Sequence, residues 1–198
     1  MGLLNKTNYW KALLLVFCLI SLSSWSSYTA SLEKKIYKLI GKTWKGQTIE
    51  KVNVDIPSDM LINEANEVFI LKEGANLIGY LSLNKSYSCR VGGCAVWTPN
   101  VGSKSNYDPF YYVIISNPDL SIKKVEIIEY FSDYGYEITN KKWLAQFIGL
   151  FSGNLTYEDD IDGISGATIS VKSLIEDVNE NGDLLAKLLS DNLISSVQ

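Results

Sequence analysis

Residues 162–168 read Asp-Gly-Ile-Ser-Gly-Ala-Thr, and SVKSLIEDV follows after Ile169. Two hydroxyls, two glycines, an alanine and a carboxylate make poor core material, but they make a turn that leaves its backbone open. Val171, Leu174, Ile175 and Val178 fall at i, i+3, i+4 and i+7, the spacing of an amphipathic helix. The small residues therefore stand at a helix mouth, near Thr168 to Ser170. The first N–H groups of a helix have no partner within it, and the aligned peptide dipoles add positive charge there. Gly163 and Gly166 permit tight or left-handed backbone, and Gly166-Ala167 leaves room for an incoming group. Such a turn suits an anion, a phosphate above all, with the Thr168 hydroxyl inside its field. Asp162 would hold a neighbouring backbone or metal group. The plainer alternative is a helix N-cap with no ligand.

Several chemistries are excluded by composition. The chain has 198 residues and no histidine, which removes His-based acid–base catalysis, a Ser-His-Asp triad and most catalytic zinc sites. Net charge is −4 with only short basic pairs such as Lys34-Lys35 and Lys123-Lys124, so nucleic acid is not an expected partner. An apolar share of 46% argues for a folded domain rather than disorder.

The elements that must position the turn read as an α+β domain, a small antiparallel sheet with helices. TIEKVNVDI, EVFILKE and LIGYLSL have strand patterning, and EGANL between the last two suggests a hairpin turn. Asn117-Pro118-Asp119 divides two β-branched and aromatic runs and predicts a second hairpin. KKWLAQFIGLF has helical spacing up to Gly149. The helix after the turn is expected to close at Asn181-Gly182, with a last helix, DLLAKLLSDNLI, behind it. The block from Ser86 to Pro109 is rich in Gly, Ser and Asn and reads as loop.

At the N-terminus, Lys6 and Lys11 precede an apolar run from Ala12 to Leu22, and small residues lie beyond it. That is the layout of an export signal, or of an anchor if the serines extend the span to Ala30. The expected division is residues 1–30 signal peptide or membrane anchor, 31–59 connector and first strand, and 60–198 the main domain. The expected location is exported, at a periplasmic or other extracytoplasmic membrane face.

Asp162, Ser165, Gly166, Ala167 and Thr168 also match the signature D-x-x-S/T-G-A-T/S, and the chain resembles the FMN-binding domain family that carries it. Members include small exported flavin subunits of sodium-pumping NADH:quinone oxidoreductases and Rnf-type complexes. The resemblance implies covalent FMN, joined by a phosphoester to Thr168 by a separate flavin transferase that uses FAD and magnesium. It implies that Ser165, Gly166 and Ala167 line the phosphate and that the transferase needs Asp162. It extends upstream through EYFSDYGYEITNKKWLAQFIG, at the place of a Glu-Thr…Trp-Leu…Phe-x-Gly segment. DYGYEIT stands where the pump subunits have a Glu-Thr-Pro-Gly-Leu-like stretch, so the chain is more similar to stand-alone exported flavoproteins.

Cys89 and Cys94, separated by four residues, predict a disulfide loop in an oxidising compartment. A redox dithiol is the sharper alternative but lacks CxxC spacing, and no metal site is expected. Tyr134 and Tyr136 are candidate flavin contacts, whereas Trp143 and the strand aromatics read as core. The function this predicts is electron transfer with a membrane partner, rather than stand-alone catalysis. The alternatives are a flavin-free binding or structural module and a small flavin-dependent reductase.

Overall fold

The computed structural model describes residues 30–63, 65–89 and 107–194. The predicted export segment and Cys94 lie outside them, as does the side chain of Cys89, so the expected disulfide does too. The chain divides into units Met1–Lys45 and Gly46–Gln198. In the first, residues 30–43 form helix α1, with Leu32, Ile36, Leu39 and Ile40 as its apolar stripe at helical spacing.

The second unit is α+β. Five strands, β1 Glu50–Val54, β2 Glu67–Glu73, β3 Asn76–Cys89, β4 Tyr107–Ser116 and β5 Ile122–Tyr130, lie in sheet order 1-2-3-4-5. Every neighbouring pair is antiparallel. A two-residue turn joins β2 to β3 with Gly74 at φ 60°, the positive value that hairpin turns of this length favour. The β4–β5 turn lies at the predicted Asn-Pro-Asp. Asp119 Oδ1 accepts hydrogen bonds from the Ser121 backbone N–H (3.0 Å) and hydroxyl (2.7 Å). Those bonds favour the ionised carboxyl and lower the Asp119 pKa.

Helix α2, Lys141–Leu144, follows the sheet and runs into a 3-10 turn, Ala145–Phe147. Asn140 starts α2 as its cap, its Oδ1 accepting from the Lys142 and Trp143 N–H groups. The last element is helix α3, Thr168–Ser190. The N-terminal half of α3 (Val171, Leu174, Ile175, Val178) packs with Phe110, Tyr112, Ile114, Trp143 and Phe147. The C-terminal half (Leu184, Leu185, Leu188) packs with Val54, Val68, Ile70 and Tyr80.

Two expectations are corrected here. Strand β3 continues through Ser86 to Cys89, and β4 begins at Tyr107, so both ends of the predicted loop are ladder. The helix also does not close at Asn181-Gly182. Asn181 is buried, and its amide donates to the Tyr112 hydroxyl (3.2 Å) and the Asp177 carbonyl (2.7 Å). Burial holds the Tyr112 pKa well above its ordinary value, so the phenol stays neutral.

At Gly182 the loop after Phe151 lies directly on the helix. Asn179 straps that loop down, with Oδ1 accepting from Gly153 N–H (3.0 Å) and Leu155 N–H (2.9 Å). A Cβ on residue 182 would come within 2.7 Å of the Ser152 backbone carbon. Alanine gains about 1 kcal/mol in helix propensity over glycine, while overpacking against backbone costs about 1–3 kcal/mol. Gly182→Ala is therefore expected to lower the urea midpoint, against the propensity rule. A raised midpoint would mean that the loop yields without cost.

Candidate functional site

Residues Ile164 to Ala167 form the turn that enters α3, closed by Ala167 N–H to the Ile164 carbonyl at 3.0 Å. Gly166, third in the turn, has φ 83°, where an L side chain is strained. Gly163 has no such backbone. It is small because the Tyr157 ring lies against it, and an added Cβ would stand 2.5 Å from the Tyr157 hydroxyl. Ala167 points its methyl into the core, whereas Ser165, Gly166 and Thr168 are exposed.

The capping position of α3 is Ala167, which makes no side-chain hydrogen bond, and the first turn contains no acidic residue. The reading of this motif as a Ser or Thr helix cap therefore fails. What remains is a helix N-terminus whose free N–H groups and positive dipole end have neither a side-chain acceptor nor a first-turn carboxylate. Thr168 is its first residue. Its hydroxyl is exposed and forms no hydrogen bond among the described residues.

The chain just before the turn is held by the α2 region. The indole Nε1–H of Trp143 donates to the Asp162 carbonyl (2.9 Å), and the Asp162 N–H donates to Gln146 Oε1 (3.0 Å). Two side chains three residues apart on one helical turn thus fix the Asp162 backbone from both sides. The Asp162 carboxylate stays exposed.

Two hollows meet at Asp162 and Ile164. One is lined by Tyr157, Glu158, Asp162, Gly163, Ile164, Ser165 and Thr168. The other, of about 380 Å³, is lined by Glu137, Asn140, Lys142, Trp143, Gln146, Asp162 and Ile164. Within the second, Glu137 Oε2 is buried with no hydrogen-bond partner. An acceptor left so costs free energy, which a ligand donor would recover.

The loop from Tyr134 to Tyr136 braces the first turn of α3 and lines neither hollow. The Tyr130 hydroxyl donates to the Tyr134 carbonyl at 2.6 Å and lies 3.0 Å from Ser170 Oγ. With the phenolic proton committed to that carbonyl, the serine is the donor in the second contact. Desolvation raises the Tyr130 pKa, which keeps the proton in place. Gly135 lets the loop approach, since a Cβ there would strike Ser170 Oγ. Tyr134 and Tyr136 are themselves 51% and 59% exposed, which places their rings on the surface.

Ser165, Gly166 and Ala167 thus lie in the turn, with Asp162 just before it and Thr168 opening the helix. Sequence reasoning placed Trp143 in the core and gave no part to Glu137, Asn140, Gln146 or Tyr157. Trp143 is indeed 9% exposed, yet its one polar atom serves the turn. The readable signals were Asn140 as a cap before KKW and the i, i+3 pairing of Trp143 with Gln146.

No curated protein matches the sequence. Residues 107–181 match the model of the FMN-binding domain, a span that runs from the start of β4 to the middle of α3 and contains the whole site. That match identifies an FMN-binding domain within the chain and supports a flavin-binding protein.

Proposed function

We propose that Thr168 carries FMN through a phosphoester, and that the tethered flavin passes electrons at the extracytoplasmic face of a membrane. The observation that carries this reading is the exposed Thr168 hydroxyl on an uncapped helix N-terminus with no acid in its first turn. A phosphate bonded there meets free N–H donors and the positive end of the dipole. Thr168 Oγ gives up its proton and bonds to phosphorus, and AMP leaves when FAD is the donor. The net gain is FMN less one water.

The remaining residues fit a flavin. Trp143 and Ile164 supply apolar walls, Asn140 and Gln146 supply amides, and the unpaired Glu137 oxygen accepts a hydrogen bond, which the ring N–H of an isoalloxazine can donate. Bound FMN supplies one- and two-electron redox chemistry, while the protein supplies position and electrostatics. The basic and apolar N-terminal segment supports export, and a covalent tether suits a compartment where free FMN would diffuse away. A flavin transferase for maturation and a membrane electron partner follow as the expected associates.

The test is intact mass after co-expression with a flavin transferase, with fractionation of the cells. The expected result is a mass gain of FMN less water in the exported fraction, reversibly reduced by dithionite. An unmodified protein, where a known substrate of the same transferase is loaded, would overturn the proposal.

A further inference from the structure

Lys172 lies four residues after Thr168, on the same face of α3 one turn along. Side chains on a helix lean toward its N-terminus, so a long side chain at position 172 covers the turn that bears Thr168. Its ammonium sits 4.7 Å above the centre of the Tyr157 ring. Tyr157 lines the same hollow as Ser165 and Thr168, and its ring is seated against Gly163. Glu158 and Asp162 also line that hollow, and none of the residues lining it is cationic. Lys172 nevertheless forms no ion pair among the described residues, and its ammonium instead meets the face of an aromatic ring.

We propose that Lys172 is the counter-ion of the phosphate carried by Thr168. Before attachment, the ammonium rests on Tyr157 through a cation–π contact. After attachment, the hollow holds a phosphodiester beside two carboxylates, and Lys172 is the cation within one helical turn that can balance it. This rests on the reading of Thr168 as the attachment site. It adds a residue outside the signature and gives the charge balance that two neighbouring carboxylates would otherwise oppose.

The experiment uses the wild type, Lys172→Met, Lys172→Arg and the distant control Lys187→Met, each prepared with and without co-expressed transferase. Intact mass, thermal midpoints at low and high salt, and the ³¹P resonance are recorded for each. The expected result is a loading-dependent rise in midpoint that is lost in Lys172→Met, kept in Lys172→Arg and Lys187→Met, and screened by salt. The ³¹P resonance should move in Lys172→Met alone, and the loading rate should fall about threefold, the scale of one exposed charge contact. A loading effect and ³¹P resonance unchanged in Lys172→Met would overturn the assignment. So would a Met variant destabilised equally with and without FMN, which would make Lys172 a packing residue for Tyr157. Absence of FMN from every variant, wild type included, would overturn the Thr168 reading and this one with it.

Discussion

Thr168→Val is expected to remove the entire FMN mass and to leave the fold as stable as before. The two halves of that expectation have different origins. Valine matches threonine in shape and in β-branching but has no oxygen to bond to phosphorus, so attachment is lost completely rather than in part. Stability is spared because the hydroxyl supports nothing: Thr168 is exposed, and the cap position belongs to Ala167. An exposed substitution of this kind stays within about 0.5 kcal/mol, whereas loss of a true Ser or Thr cap costs about 1 kcal/mol. Intact mass and a urea midpoint on the same preparation separate the cases. Thr168→Ser, which keeps the oxygen, should load. A valine variant that loses about 1 kcal/mol, in a protein whose wild type never gains mass, would return the motif to the role of a cap.

Much of this site was legible because its chemistry is local in sequence. Five constrained positions within seven residues and the helix period after them describe one turn and its approach, and the positive φ of Gly166 was readable from residue type. The hairpin at Asn117-Pro118-Asp119 was legible for the same reason. What stayed hidden depended on distant partners. Strand β3 ends in Ser86-Tyr-Ser88-Cys, which looks like loop, yet Ser82, Asn84, Ser86 and Ser88 alternate along the strand and are all buried. Most of the polar groups on that face have partners: Ser86 Oγ meets Ser173 Oγ at 2.7 Å, and the Ser88 hydroxyl donates to the Asp108 carbonyl at 2.9 Å. Asn84 Oδ1 accepts from the Asn66 amide, while Asn84 Nδ2 is left without a partner among the described residues. Asn181-Gly182 looks like a helix stop for a similar reason. The sequence cannot reveal that the asparagine has a buried tyrosine to bond, or that the glycine has a loop lying on it. Tertiary contact overrides local preference at such points.

The largest effect on stability is expected at Phe147, and it bears on the site through Trp143. Phe147 is fully buried, and its ring stands edge-on to Trp143, 5.7 Å between centres. Truncating a buried phenylalanine to alanine costs about 3–5 kcal/mol, a large part of the roughly 5–15 kcal/mol that holds a domain together. Phe147→Ala should therefore lower the urea midpoint sharply with little change in slope. The loss is not confined to the core. Trp143 and Gln146 hold the carbonyl and N–H of Asp162 from this same short segment, so loosening Phe147 frees the backbone immediately before the turn. Loading of Thr168 should slow in Phe147→Ala even at a temperature where the protein remains folded, and Phe147→Leu, which keeps most of the volume, should restore both properties together. If the alanine variant loses stability but loads at the wild-type rate, the anchoring of Asp162 serves the fold alone. The transferase would then be reading the turn from Ser165 onward, with the preceding backbone free to move.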